Sequence, residues 1–257
     1  MLKLSAPDWC FLKPGITPAT HYAKVKALGY GAVEMVAPEN RAAARAAGLE
    51  ILNLCAPGMQ RGLNRLEHHA EQIPAIRACI DEAATAGIPQ VIVFSGNRDG
   101  QPDAEGQANC ITALRTLARE AAKARVTLVL EMLNSFDHGD YQANRSAYGF
   151  AVAKAVASPA VKVLYDLYHM VRMGDDPVAD LCANLSLVAH LHLAEVPNRS
   201  VPLANGTIAH RTIVQQLANA GYGGWWGMEF IPTGDVYAEL EQAVAAVQAP
   251  STNVAKR

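Results

Sequence analysis

The sequence predicts a single (β/α)8 barrel over residues 1–249, followed by a polar tail at 250–257. Three observations lead to it. Short apolar, β-branched runs alternate with Ala-rich helical patterns, which is the signature of parallel βαβ units. The 257 residues divide into eight such units, the usual size of this barrel. The joints also repeat: "ALGYGAVEM" and "NAGYGGWWGMEF" each end a helix at a glycine (Gly29, Gly221), turn, and run a strand out to a glutamate. "ATAGIPQVIVF" repeats the pattern with Gly87, and glycine is the favoured residue just beyond a helix C-terminus.

In chain order the expected strands are Leu2–Ser5, Ala32–Val36, Glu50–Cys55, Gln90–Phe94, Thr127–Glu131, Lys162–Asp166, His190–Ala194 and Trp226–Phe230. Their Val, Ile and Leu content on both faces suits a parallel sheet covered by helices. Between them, helical patterns are read at Pro18–Leu28, Leu66–Ala86, Glu105–Ala124, Ser146–Ala157, Pro177–Leu187 and Thr212–Ala220. The competing architecture is an open sheet that binds a dinucleotide, which needs a Gly-rich turn after the first strand. Here that strand runs into Ser5-Ala6-Pro7-Asp8-Trp9, and the only nearby GxG (Gly29, Gly31) precedes a strand. No GxxxxGK[ST] occurs either, so no nucleotide is expected.

Composition excludes several classes. The chain is 51% hydrophobic and 18% charged with a net charge of −2, which argues against global disorder. Lys and Arg total 22 against 24 Asp and Glu, so no basic excess points to nucleic acid. No apolar stretch is long enough for a membrane span, and the N-terminus lacks the apolar core of a signal peptide. The five cysteines (10, 55, 79, 110 and 182) are odd in number and form no CxxC, which reads as reduced thiols in a cytoplasmic protein. Each is expected to be a small buried hydrophobe, with Cys10 and Cys55 near strand ends as pocket-lining candidates. The oligomeric state is left open, a homo-oligomer included.

In such a barrel the active site lies at the C-terminal ends of the strands. Four successive strands end in a carboxylate or an imidazole. "VTLVLEMLN" ends at Glu131. "VKVLYDLYH" ends at Asp166, with His169 just beyond. "AHLHLAE" carries His190 and His192, and "GWWGMEF" ends at Glu229. His190 and His192 share a face, since strand side chains repeat every second residue. Converging buried carboxylates need a cation. Glu131, Asp166, His192 and Glu229 make an oxygen/nitrogen set suited to Mn²⁺, Mg²⁺ or Co²⁺. His190 alone reads as a hydrogen-bonded core histidine. Glu34 reads equally as a site residue or a solvated loop residue. His21, His68, His69 and His210 are expected to face solvent. Trp9, Trp225 and Trp226 are read either as pocket walls or as core. The loop Asp137–Tyr141 is either a water-excluding lid or a solvated loop.

"LEMLNSFDHGDYQAN", "LYDLYHM", "HLHLAEVPNR" and "GMEF" together resemble the hydroxypyruvate isomerase-like branch of the xylose isomerase-like TIM barrels, and "VIVFSGNRDG" fits as well. That group includes sugar isomerases and ketose 3-epimerases. The resemblance implies a divalent metal held by Glu131, Asp166, His192 and Glu229, substrate contacts from His169 and Arg199, and proton transfer by Glu131 and Glu229. Many hydroxypyruvate-type isomerases carry Gln where this chain has His192, whereas the ketose epimerases carry His. Asn205-Gly206-Thr207 stands where many relatives have an acidic or amide residue.

The implied chemistry is coherent. Moving a carbonyl between neighbouring carbons removes a weakly acidic C–H proton. A metal chelated by the substrate's oxygens stabilises the enediolate, and carboxylates move the proton. Arg199 suits bidentate capture of a carboxylate, as in a small hydroxy-keto acid; a surface ion pair is its other reading. The expected function is therefore interconversion of a small hydroxy-aldehyde and hydroxy-ketone, of the hydroxypyruvate/tartronate semialdehyde type. Ketose 3-epimerisation, dehydration or hydrolysis on the same barrel, and non-catalytic metabolite binding are the alternatives.

Overall fold

The structure is a computed structural model and describes residues 2–248; the tail expected at 250–257 lies outside them. Its strands are β1 (Lys3–Pro7), β2 (Ala32–Glu34), β3 (Glu50–Ile51), β4 (Asn53–Cys55), β5 (Gln90–Val93), β6 (Thr127–Glu131), β7 (Val161–Asp166), β8 (Val188–Leu193) and β9 (Trp225–Met228). All pair in parallel, in the order β3-β2-β1-β9-β8-β7-β6-β5-β4. The two outer strands, β3 and β4, are halves of the single strand expected at Glu50–Cys55, parted at Leu52. The first half pairs with β2 and the second with β5, while Leu52 N still donates to Val33 O at 3.0 Å. The nine strands are thus the eight expected ones with one divided, and the sheet closes nearly completely into a barrel.

Helices cover the outside: α1 (Asp8–Phe11), α2 (Pro18–Ala27), α3 (Arg41–Ala46), α4 (Leu66–Ala86), α5 (Asp103–Ala124), α6 (Ser146–Val156), α7 (Leu167–Arg172), α8 (Pro177–Asn184), α9 (His210–Asn219) and α10 (Val236–Val247). On α5, Cys110, Ala113, Leu114, Leu117 and Ala121 are buried, the i, i+3, i+4 stripe that faces a sheet. A fully buried Leu there contributes about 1.5–3 kcal/mol. Glycines close the helices as expected; Gly87 adopts the left-handed conformation (φ 66°) after α4.

Two histidines depart from expectation. His21 and His210 are buried, not exposed. His21 shares the inner face of α2 with Tyr22 and Val25, and its Nδ1 lies 3.2 Å from Tyr237 Oη on α10. His210 opens α9 beside Ile213 and Val214, with Nε2 3.8 Å from Glu195 Oε2. Both stand on the apolar face of their helix, so packing removes them from water. His68 and His69 are half-buried on α4, and Trp226 is core, whereas Trp9 is exposed.

Candidate active site at the barrel mouth

The ends of β6, β7, β8 and β9 bring Glu131, Asp166, His192 and Glu229 together. Each offers one ligand atom, and these atoms all lie within 4.8 Å of one another. The register explains the convergence: Asp166 pairs with His192 across β7 and β8, and Glu229 directly follows Met228, which pairs with Leu193. All four side chains are buried.

Asp166 has two tasks. As N-cap of α7 its Oδ1 accepts the backbone N–H of Tyr168 at 2.8 Å and of His169 at 3.4 Å. Its Oδ2 faces inward, 3.2 Å from Arg199 Nη2 and 3.6 Å from His169 Nε2. His169 Nδ1 accepts the Asn134 backbone N–H at 3.2 Å and also lies 2.6 Å from Asn134 Nδ2. A backbone N–H can only donate, so His169 carries its proton on Nε2, toward the cavity. Burial and then the Arg199 charge hold the His169 imidazole well below its ordinary range, which keeps it neutral.

Arg199 enters from the loop after β8 with φ 52°, a left-handed backbone rare for a side chain other than Gly or Asn. Its Nε donates to Glu229 O at 3.1 Å, its Nη2 pairs with Glu229 Oε2, and its guanidinium lies 5.4 Å from both the Trp9 and Tyr168 rings. Trp9 Nε1 donates to Glu229 Oε1 at 2.9 Å.

The two glutamates are driven apart electrostatically. Burial, then the neighbouring Glu229 carboxylate, push the Glu131 carboxyl up. Burial acts on Glu229 in the same direction, but the His192 and Arg199 charges outweigh it and hold that carboxyl far below the usual range.

The residues fit a divalent cation. Three buried carboxylates converge, of which Arg199 pairs with Asp166 and Glu229, and His192 Nδ1 lies 2.8 Å from Glu229 Oε2 and 3.9 Å from Glu131 Oε1. Three carboxylates and one imidazole nitrogen make the donor set of an oxygen-rich metal site. Beside it opens a cavity of about 400 Å³, whose other wall is Trp9, Met35, Cys55, Met59, Phe94 and Leu133. Cys55 thus reaches the pocket as expected. Cys10 is buried, and burial, then Glu229, push its thiol well up.

His190 is a hydrogen-bonded interior histidine, 3.0 Å from Glu34 Oε2, and Glu34 is fully enclosed. Gly206 abuts the Glu195 carboxylate, whose Oε1 accepts the Val196 and Ile208 amides at 3.0 Å. Asp137 ties its loop to α7, accepting from Tyr168 Oη at 2.6 Å, Arg172 Nη1 at 2.8 Å and Asn134 Nδ2 at 2.9 Å. Sequence reasoning missed Asn134 as the residue that sets His169, and gave Trp9 no polar partner. Both stand just past a strand end, the one position that could have marked them.

The family described as "Xylose isomerase-like TIM barrel" matches residues 22–248. The chain is 30% identical over 232 residues to a protein of Cupriavidus necator named 2-oxo-tetronate isomerase, covering 85% of this chain and 89% of that one. It is 25% identical over 201 residues to the hydroxypyruvate isomerase of Escherichia coli, covering 69% and 78%. The crystal structure of D-psicose 3-epimerase with D-tagatose from Clostridium cellulolyticum shares the fold, with a TM-score of 0.77 at 20% identity, covering 95% and 96%. With a match over nearly its whole length and isomerases among its relatives, the chain belongs to the xylose isomerase-like TIM barrel family and is an isomerase.

Proposed function

We propose that this enzyme is a metal-dependent isomerase of small hydroxy-keto acids, interconverting a hydroxy-aldehyde and a hydroxy-ketone of the hydroxypyruvate or 2-oxo-tetronate type. The observation that carries the proposal is the buried convergence of Glu131, Asp166, His192 and Glu229 with Arg199 against it. The names of the relatives from Cupriavidus necator and Escherichia coli support the substrate class.

Glu131, Asp166, His192 and Glu229 would hold Mn²⁺, Mg²⁺ or Co²⁺, which supplies positive charge beside the oxygens where negative charge develops. The chain's own groups do the rest. Arg199 grips the substrate carboxylate with its planar fork. His169, neutral and protonated on Nε2, donates a hydrogen bond to a substrate oxygen. Glu131 and Glu229 stand on separate strands, and one takes the C–H proton while the other returns it. The apolar wall and Trp9 limit water at the reacting carbon. The test is turnover of hydroxypyruvate, tartronate semialdehyde and 2-oxo-tetronates in heavy water. Deuterium is expected at the reacting carbon, with activity abolished by EDTA and restored by Mn²⁺ or Mg²⁺. Full activity after thorough metal removal would sink the proposal.

A second reading, ketose 3-epimerisation, is favoured by His192, the residue ketose epimerases carry at that position. Turnover of four- to six-carbon ketoses with no action on keto acids would select it.

A further inference from the structure

Glu34 lies outside the ligand set just described, at the end of β2 on the other side of the barrel, yet it is completely buried. Its Oε1 accepts Ser5 Oγ at 2.6 Å, and its Oε2 accepts Asn53 Nδ2 at 2.6 Å. The same Oε2 lies 3.0 Å from His190 Nε2 and 3.0 Å from His192 Nε2. An Asn Nδ2 can only donate and a carboxylate only accepts, so the two imidazoles that share Oε2 with it are its donors. Each therefore carries hydrogen on Nε2. For neutral His192 this makes Nδ1 the nitrogen that offers its lone pair to a cation, and Nδ1 is the atom that faces Glu229 and Glu131.

The space for this arrangement depends on Gly227 of β9, which pairs with Ser5 and His192 in register. A Cβ there would stand 2.5 Å from Glu34 Oε1, 2.6 Å from His192 Cδ2 and 3.1 Å from His190 Nε2. Glu34, His190 and His192 also converge closely enough to hold an ion themselves. Asn53 already occupies the shared oxygen with a donor, however, so the contacts are hydrogen bonds and not a second metal site.

We propose that Glu34 is a positioning residue for the metal centre: it accepts the Nε2–H of His192 and so turns Nδ1 toward Glu131, Asp166 and Glu229. Asn53 and His190 fix the carboxylate, and Gly227 leaves room for it. The inference rests on His192 being a ligand. A carboxylate behind a ligating imidazole fixes ring orientation and tautomer, and its loss costs about 10–100-fold in metal affinity.

The experiment titrates the metal-free protein with Mn²⁺, followed by calorimetry and by the EPR signal of free Mn²⁺. E34A is expected to weaken binding about 10–100-fold. E34Q retains most of the affinity, because its amide oxygen still accepts the Nε2–H while its NH₂ turns to Ser5 Oγ. G227A weakens binding as E34A does, without removing a charge. In ¹⁵N-histidine-labelled wild type loaded with Mg²⁺, His192, assigned with H192N, shows hydrogen on Nε2 and none on Nδ1. Wild-type affinity in folded E34A or G227A, an E34Q as weak as E34A, or an Nδ1–H tautomer overturns the role of Glu34. If E34A does not fold, E34Q, G227A and the wild-type tautomer still decide. A wild type that binds no Mn²⁺ overturns the metal centre itself, before any variant is made.

Discussion

Each residue of the site is caught between burial and charge. Glu131 and Glu229 share a pocket, but His192 Nδ1 is 2.8 Å from Glu229 and 3.9 Å from Glu131, and Arg199 pairs with Glu229. Replacing either by Gln keeps the shape and removes the proton carrier. E131Q and E229Q are each expected to lower kcat about 10²–10⁴-fold, with loss of deuterium exchange at the reacting carbon. Unchanged exchange in both variants would refute their assignment. The four converging residues were legible because each stands at or near the end of an apolar strand run. Glu34 was not, because a strand-end glutamate looks the same whether solvated or enclosed. What decides is His192, a hydrogen-bond partner 158 residues away. His21 carried a missed signal, since it lies four residues before Val25 on the buried stripe of α2.

At the scale of elements, strands and long helices were legible from periodicity, and Leu66–Ala86 and Thr127–Glu131 are found as expected. The short pieces were not. Helix α3 offers six residues, too few to display a face. Helix α7 starts on a residue that reads as a strand end, because Asp166 is both the last residue of β7 and the cap of α7. These two tasks are separable. Asn caps helices as well as Asp does, so metal-free D166A is expected to be less stable than metal-free D166N by about 1 kcal/mol. Both are expected to lose Mn²⁺ affinity. Urea unfolding of the metal-free proteins, alongside Mn²⁺ titration, checks it; equal destabilisation of the two variants would show that the cap contributes nothing.

Across the whole molecule, two buried histidines outside the four-residue cluster add to acid sensitivity. Burial lowers His21 and His210 each to about 4, against about 6.5 in an unfolded chain. The unfolded state therefore takes up protons first. The stability these residues contribute is complete above pH 6.5 and is lost as pH falls from 6.5 toward 4, by up to about 3 kcal/mol each. Thermal unfolding at stepwise pH should show this slope, and H21Q and H210Q should each flatten it. A slope unchanged in the double variant would place the acid sensitivity elsewhere.

The position of Glu34 has a kinetic consequence. The four residues proposed as ligands come from contiguous strands, β6 to β9, but the group that aims His192 comes from β2. An open half-barrel would hold the carboxylates and leave the imidazole unaimed. High-affinity capture of a cation would then come after the rate-limiting closure, not before it. Mn²⁺ should accordingly slow unfolding and leave the refolding rate almost unchanged, the mark of an interaction absent from the transition state. A metal-accelerated refolding limb in stopped-flow experiments would instead mean that the cation helps to build the barrel.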